Sequence, residues 1–96
     1  MITVFIEYKT VESKRDEHRR LLAEMPARLE RLGAKEYRSW EGWDQPGLFV
    51  EAFHVATIDQ YETIKAWRLA DREFCACIAG GAEKLHVWAF QPVELA

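Results

Sequence analysis

Three segments of this chain alternate with the period of a β-strand and yet are apolar on both sides. In the first, Ile2, Val4 and Ile6 share one face and Phe5 takes the other. In the next, Leu48, Val50 and Ala52 oppose Phe49, Phe53 and Val55; in the last, Leu85, Val87 and Ala89 oppose His86, Trp88 and Phe90. Successive side chains point to opposite faces of a sheet, so a sheet made of these segments presents two apolar surfaces. Both need covering, and a chain this short must find the cover in its own helices or in a partner.

The helices number two. Ser13 followed by Asp16 reads as a capping box, and His18, Leu21, Leu22, Met25, Leu29 and Leu32 form an apolar stripe at spacings of three and four that stops at Gly33. Pro26 lies inside that pattern, where it lacks a donor and crowds the preceding turn, so a kink or break is expected near Met25. A second strand follows from about Lys35 to Trp43, and Asp44-Gln45-Pro46-Gly47 supplies the turn into the third, Leu48 to about Val55. Thr57 and Gln60 make another capping box, ahead of a stripe of Ile58, Tyr61, Ile64, Trp67, Phe74 and Ile78 that ends at Gly80-Gly81. A last strand runs from Leu85 to about Phe90.

Strand, helix, strand, strand, helix, strand is the ferredoxin-like βαββαβ order, an α+β fold. It predicts one domain over residues 1–96, with a four-stranded antiparallel sheet in the order 4-1-3-2 and both helices on one face. The other face is left apolar, which predicts a homodimer packed sheet to sheet.

Charge and motifs remove most classes of function. Thirteen Lys and Arg against sixteen Asp and Glu leave a net charge of −3, so there is no field to draw nucleic acid or an anionic membrane. The basic residues of the first helix, Lys14, Arg15, Arg19, Arg20, Arg28 and Arg31, are interleaved with acids and read as a solvated, salt-bridged surface. No stretch approaches the roughly 20 apolar residues of a membrane span. The opening Met1-Ile2-Thr3-Val4-Phe5 lacks the basic segment and apolar core of a signal peptide, so a cytoplasmic protein is expected. Glycine-rich phosphate loops and Gly-x-Ser-x-Gly are missing, and no cofactor is read from the sequence. Cys75 and Cys77 point roughly 200° apart on a helix and read as small buried side chains.

The element order, the two-faced sheet and the text around Leu32-Gly33-Ala34, Tyr37-Arg38, Asp44-Gln45-Pro46-Gly47-Leu48-Phe49-Val50-Glu51 and Trp88-Ala89-Phe90 resemble the dimeric α+β barrel superfamily. Within it the chain is similar to the antibiotic-biosynthesis-monooxygenase-like and NIPSNAP-type small proteins. The resemblance implies a pocket between sheet and helices in each subunit. It also implies a cofactor-independent monooxygenase, which needs an aromatic substrate, a base to ionise it and exclusion of water. Heme-degrading members place a histidine on the second helix as iron ligand; this chain offers Arg68, Asp71 and Arg72 there, so heme or metal binding ranks third.

Five residues are candidate bases. Glu7 and Glu51 interrupt apolar strands at the centre of the sheet, where a charge is costly unless paired. Each is either bonded to an arginine or histidine across the dimer interface or kept as a general base or substrate anchor with a raised pKa. His54 and His86 fall on strands separated by the first, roughly 9 to 10 Å apart in backbone, too far for a two-histidine metal site without a third ligand. Asp71 lines the pocket in a continuous helix, with Arg68 to neutralise it or bind an acidic ligand; in a broken helix it caps a second segment. His18 lies on the apolar stripe as a core histidine or a pocket base. Tyr37, Phe53, Trp67 and Trp88 are the expected pocket wall, suited to a flat ligand. The leading expectation is a homodimer binding an apolar or aromatic small molecule in the sheet–helix cleft; the alternative is a dimerisation or ligand-sensing module without turnover.

Overall fold

Strand β1, Ile2–Lys9, lies at the middle of the sheet because it can pair on both edges: Val4 stands opposite Phe53, Ile6 opposite Glu51 and Tyr8 opposite Phe49 on one side, while Phe5 stands opposite Trp88 on the other. The computed structural model describes residues 1–95. Strands β2 (Lys35–Glu41), β3 (Leu48–Val55) and β4 (His86–Phe90) complete an antiparallel sheet in the order β2-β3-β1-β4, as the element order predicts. Strand β2 ends at Glu41 rather than Trp43, and a bulge between Lys35 and Arg38 holds Glu36 at a φ of 57°, a left-handed conformation unusual for a residue with a Cβ.

Helices α1 (Arg15–Arg31) and α2 (Ile58–Ala70) cover one face. Helix α1 buries His18, Leu21, Met25 and Leu29, the predicted stripe. Two expectations about it fail. Its N-cap is Lys14 with no side-chain cap, because a 3-10 turn over Glu12–Lys14 leads into it and Ser13 is spent in that turn. It also runs through Pro26 without a break: Pro26 is exposed, and buried residues one turn to either side fix the helix against the sheet. Helix α2 opens on the predicted box, with Thr57 accepting from the Gln60 N–H and Gln60 reaching back to the Thr57 N–H, worth about 1 kcal/mol. It ends at Ala70. A short helix α3, Arg72–Cys75, restarts with Asp71 as cap, its Oδ1 accepting from the Phe74 N–H at 3.2 Å.

The core is the helix-facing side of the sheet, with Val4, Ile6, Phe53 and Val87 packed on Met25, Leu29, Ile64 and Phe74. Across the sheet, Phe5, Val50, Ala52, Trp40, Trp88 and Phe90 form an apolar surface on which Trp40, Trp88 and Phe90 are 49, 45 and 51% exposed. Phe5 and Phe90 meet edge to face there at 5.4 Å, and His86 stacks on Trp88 at 5.5 Å. Among the described residues no helix is long and apolar enough to cross a membrane.

Candidate functional site at the first-helix end of the sheet

Strand β3 carries Glu51 on its inward face between Phe49 and Phe53, and α2 brings Arg68 over it. Both are fully buried, and the guanidinium grips the carboxylate with two bonds, Nη1 to Oε1 at 2.9 Å and Nη2 to Oε2 at 2.7 Å. Tyr37 donates to Oε1 at 2.7 Å, and the Arg68 guanidinium lies 4.5 Å from the centre of the Phe74 ring. Burial alone would push the Glu51 carboxyl up, but the Arg68 charge and the hydrogen bonds from Arg68 and Tyr37 outweigh it and hold the group below the ordinary carboxylate value. Burial followed by the nearby Glu51 charge raises both tyrosine hydroxyls well above their usual pKa.

The network continues outward. Tyr8 lies diagonal to Glu51 on the same face, and its hydroxyl oxygen is 2.9 Å from Nε2 of His18. The His18 ring is wedged among Phe49, Tyr8 and Phe74 at centroid distances of 4.5, 5.5 and 5.6 Å. Burial lowers its pKa to about 4, so the imidazole is neutral at neutral pH.

Beyond His18 the molecule opens. A groove of about 490 Å³ lies between the start of α1 and the β2–β3 turn, floored by His18 and Phe49 and walled by Arg15, Arg19, Glu41 and Trp43. The turn that forms its rim closes through Gly42 N–H to Leu48 C=O at 2.8 Å, with Gly47 at a φ of 90°. Glu41 stiffens this wall: one oxygen accepts from Gly47 N–H at 2.9 Å and the other from Arg19 at 3.0 Å, which places the Arg19 guanidinium 4.9 Å from the Phe49 ring centre. Trp43 is fully exposed.

The sheet–helix cleft is therefore filled by core side chains at its centre and open at one end. Of the residues the sequence nominates, Glu51, Arg68, Tyr37 and Phe53 come together on the helix-facing side, Phe53 stacking on Tyr37 at 6.4 Å. The other placements are corrected. Glu7, His54, His86 and Trp88 point to the opposite face, so they do not line the cleft. His54 instead shares its nitrogens between Thr3 Oγ1 at 3.0 Å and Glu36 at 3.1 Å, and Glu7 stands across the strands from His86. Trp67 lies under the Arg28 guanidinium at 4.6 Å, a contact between the two helices. Asp71 is a helix cap and Arg68 pairs with Glu51, within the chain rather than across an interface. The Cys75 and Cys77 thiols are buried, which raises their pKa and leaves them unreactive. Among the described residues no three His, Cys, Asp or Glu side chains are grouped to hold a metal ion.

Tyr8, Arg15, Arg19, Glu41, Trp43 and Phe49 belong to the site and are absent from the sequence-based wall. Tyr8 was legible as the next inward position after Val4 and Ile6. Trp43 belongs to the turn, where no periodicity assigns a direction.

No family model and no curated protein matches the chain in sequence. Its fold is shared with solved structures over nearly its whole length. An antibiotic biosynthesis monooxygenase matches with a TM-score of 0.74 at 15% identity, covering 98% of this chain and 100% of that one. Rv0793 from Mycobacterium tuberculosis matches with a TM-score of 0.71 at 14% identity, over 99 and 97% of the two chains. A dimeric ferredoxin-like protein of unknown function from Jannaschia sp. CCS1 matches with a TM-score of 0.68 at 14% identity, over 96 and 100%. The ferredoxin-like α+β fold and the likeness to monooxygenase-type proteins are thus as the sequence predicts.

Proposed function

We propose that this chain is a homodimer that binds an aromatic or apolar small molecule in the groove beside α1, and that it oxidises that molecule with dioxygen as the electron acceptor and no cofactor. The observation that carries the reading is the groove itself: an opening of about 490 Å³ with a fully exposed tryptophan on its rim and a neutral, buried imidazole in its floor. An exposed tryptophan near the Phe49 ring suits a flat ring, the charged side chains of Arg15, Arg19 and Glu41 suit polar groups on its edge, and a neutral imidazole accepts a hydrogen bond from a hydroxyl there. The monooxygenase among the fold relatives lends the oxidation its plausibility as chemistry for this scaffold. A cytoplasmic setting belongs to the same proposal.

The homodimer rests on the outer sheet face, whose three large aromatic residues are each about half exposed in the single chain. A surface of that kind is characteristic of an interface. One structural fact favours a second reading, a ligand-sensing module without turnover: the buried carboxylate Glu51 is fully engaged by Arg68 and Tyr37 and is not free to act as a base.

The test has three parts. Sedimentation of the wild type and of Trp88→Glu reads the dimer, which the variant should dissociate; a monomeric wild type refutes the homodimer. Fluorescence titration with 2-naphthol reads binding, and its failure refutes the groove as a ligand site. Oxygen uptake in the presence of bound naphthols and quinols reads turnover. Binding without uptake of oxygen across that set selects the sensing module.

A further inference from the structure

The strand register lays out the outer face of the sheet row by row. Arg38, Ala52, Phe5 and Trp88 stand side by side across β2, β3, β1 and β4, and Trp40, Val50, Glu7 and His86 form the next row. Residues two apart on a strand share a face, so the two rows make one patch. Within this apolar patch Glu7 and Arg38 carry full charges, and the signs are opposite.

Neither charge is answered inside the chain. Among the described residues Glu7 and Arg38 take part in no ion pair and no side-chain hydrogen bond, whereas Arg19, Arg20, His54 and Arg68 all find carboxylates. Two strand spacings and one row separate them, roughly 12 Å between Cα atoms, with Ala52, Phe5 and Val50 in between. The other ionisable groups of this face are placed elsewhere: Lys35 and Lys9 stand at its two ends, opposite His54 and Leu48, while His54 is spent on Thr3 and Glu36 and His86 stacks on Trp88. Anything that covers the patch takes both charges out of water, which is costly unless each meets its opposite. A second copy of the chain presents, on the same patch, a guanidinium for Glu7 and a carboxylate for Arg38. Contact across a two-fold axis is reciprocal, so one such pair brings a second with it.

We infer that the outer face is self-complementary: in a two-fold dimer Glu7 of each protomer pairs with Arg38 of the partner subunit, and these two reciprocal ion pairs select a second copy of this chain and set its orientation. The inference rests on the homodimer reading and adds what chooses the partner. Apolar rows alone fit any apolar sheet, but an unrelated sheet, or a second copy turned the wrong way, leaves both charges buried and unpaired. The same division explains the two acids at the centre of the sheet: Glu51 faces the helices and finds Arg68 in its own chain, whereas Glu7 faces the second copy and finds its cation there.

Sedimentation of the intact chain, over dilutions that span its dimerisation constant, tests this by charge exchange. Glu7→Arg and Arg38→Glu each set like charges against one another at both contacts and should weaken the dimer at least roughly thirtyfold. Mixed in equal amounts, the two single variants should associate with each other, because a cation then faces an anion at both contacts. The double variant Glu7→Arg/Arg38→Glu should dimerise within about tenfold of the wild type. Glu7→Gln, nearly unchanged in shape, guards against a fold defect: its circular dichroism should be that of the wild type while its dimer is weaker by about tenfold. Single variants that dimerise as tightly as the wild type overturn the inference and leave the homodimer standing. Failure of the mixture or of the double variant to recover overturns it too, and recovery by the double variant alone places the pair within one chain. A monomeric wild type removes the homodimer reading and this inference with it.

Discussion

Replacing Arg68 by Met tests the claim that the centre of the molecule is organised by one buried ion pair. Both partners are fully buried, and the two bonds between them are 2.9 and 2.7 Å. Met fills much of the same space, so the loss is chiefly electrostatic. Stripping the cation from a buried carboxylate costs about 3–5 kcal/mol, a large part of the roughly 5–15 kcal/mol that holds a domain together. At this size the change lowers the melting temperature by roughly 12 °C or more. Urea unfolding followed by tryptophan fluorescence measures it, and its pH dependence identifies the cause. In the wild type the Glu51 pKa is depressed, so the stability it contributes is present above the ordinary carboxylate value and lost as pH falls. In Arg68→Met, burial dominates and the same pKa rises, so stability is greatest at low pH and is lost as pH increases. The deficit relative to wild type should therefore shrink between pH 8 and pH 5. The double variant Glu51→Gln/Arg68→Met leaves no buried charge and should be more stable than Arg68→Met alone. A deficit under about 1 kcal/mol, or one that does not change with pH, refutes the reasoning.

Three further outcomes are expected. His18 has a folded-state pKa of about 4 against an ordinary 6.5, so its contribution to stability is complete above pH 6.5 and is lost as pH falls toward 4, by at most about 3 kcal/mol; His18→Gln should flatten stability profiles over that window in chemical denaturation. Asp71→Ala removes the only side-chain cap of α3 and should cost about 1 kcal/mol while leaving 2-naphthol binding unchanged, as calorimetry would show. Trp43→Ala should leave the melting temperature within about a degree of wild type, because the fully exposed ring packs on nothing, while weakening 2-naphthol binding at least tenfold; unchanged affinity would remove Trp43 from the site.

What the sequence disclosed follows from which signals are periodic. Strand alternation and helix stripes report burial directly, so the element order, the sheet order and the outer apolar face were legible. Alternation could not say which face of each strand meets the helices, and this is why Trp88 and His86 were assigned to the cleft while Tyr8 was not. Once β1 is oriented by Val4 and Ile6, the register fixes the rest: Ile6 opposite Glu51 turns Glu51 inward, and Glu7 opposite His86 turns both outward. Helix boundaries failed where a local pattern met a tertiary one. The Ser13 box gave way to a 3-10 turn, and the penalty at Pro26 was offset by apolar burial on both sides of it.

The two-faced sheet explains why the polar residues divide as they do. An inward strand position lies between sheet and helices, where an ionised group persists only if its partner is supplied by another element of the same chain; Glu51 is inward and Arg68 arrives from α2 to meet it. An outward position faces whatever covers the second face, and Glu7, His54 and His86 are less than fully buried there, with His54 bonded across the sheet to Thr3 on β1 and Glu36 on β2. Chemistry built on the inward face therefore has to reach solvent through the end of the layer, because the middle is sealed by Met25, Leu29 and Phe53. The His18–Tyr8–Glu51 line takes that route, from the groove at the start of α1 to the ion pair at the core. A ligand seated against His18 in that groove would bind the folded chain alone, so titrating the wild type with 2-naphthol should raise its melting temperature, and an unchanged melting temperature at saturating naphthol would remove the groove as a ligand site.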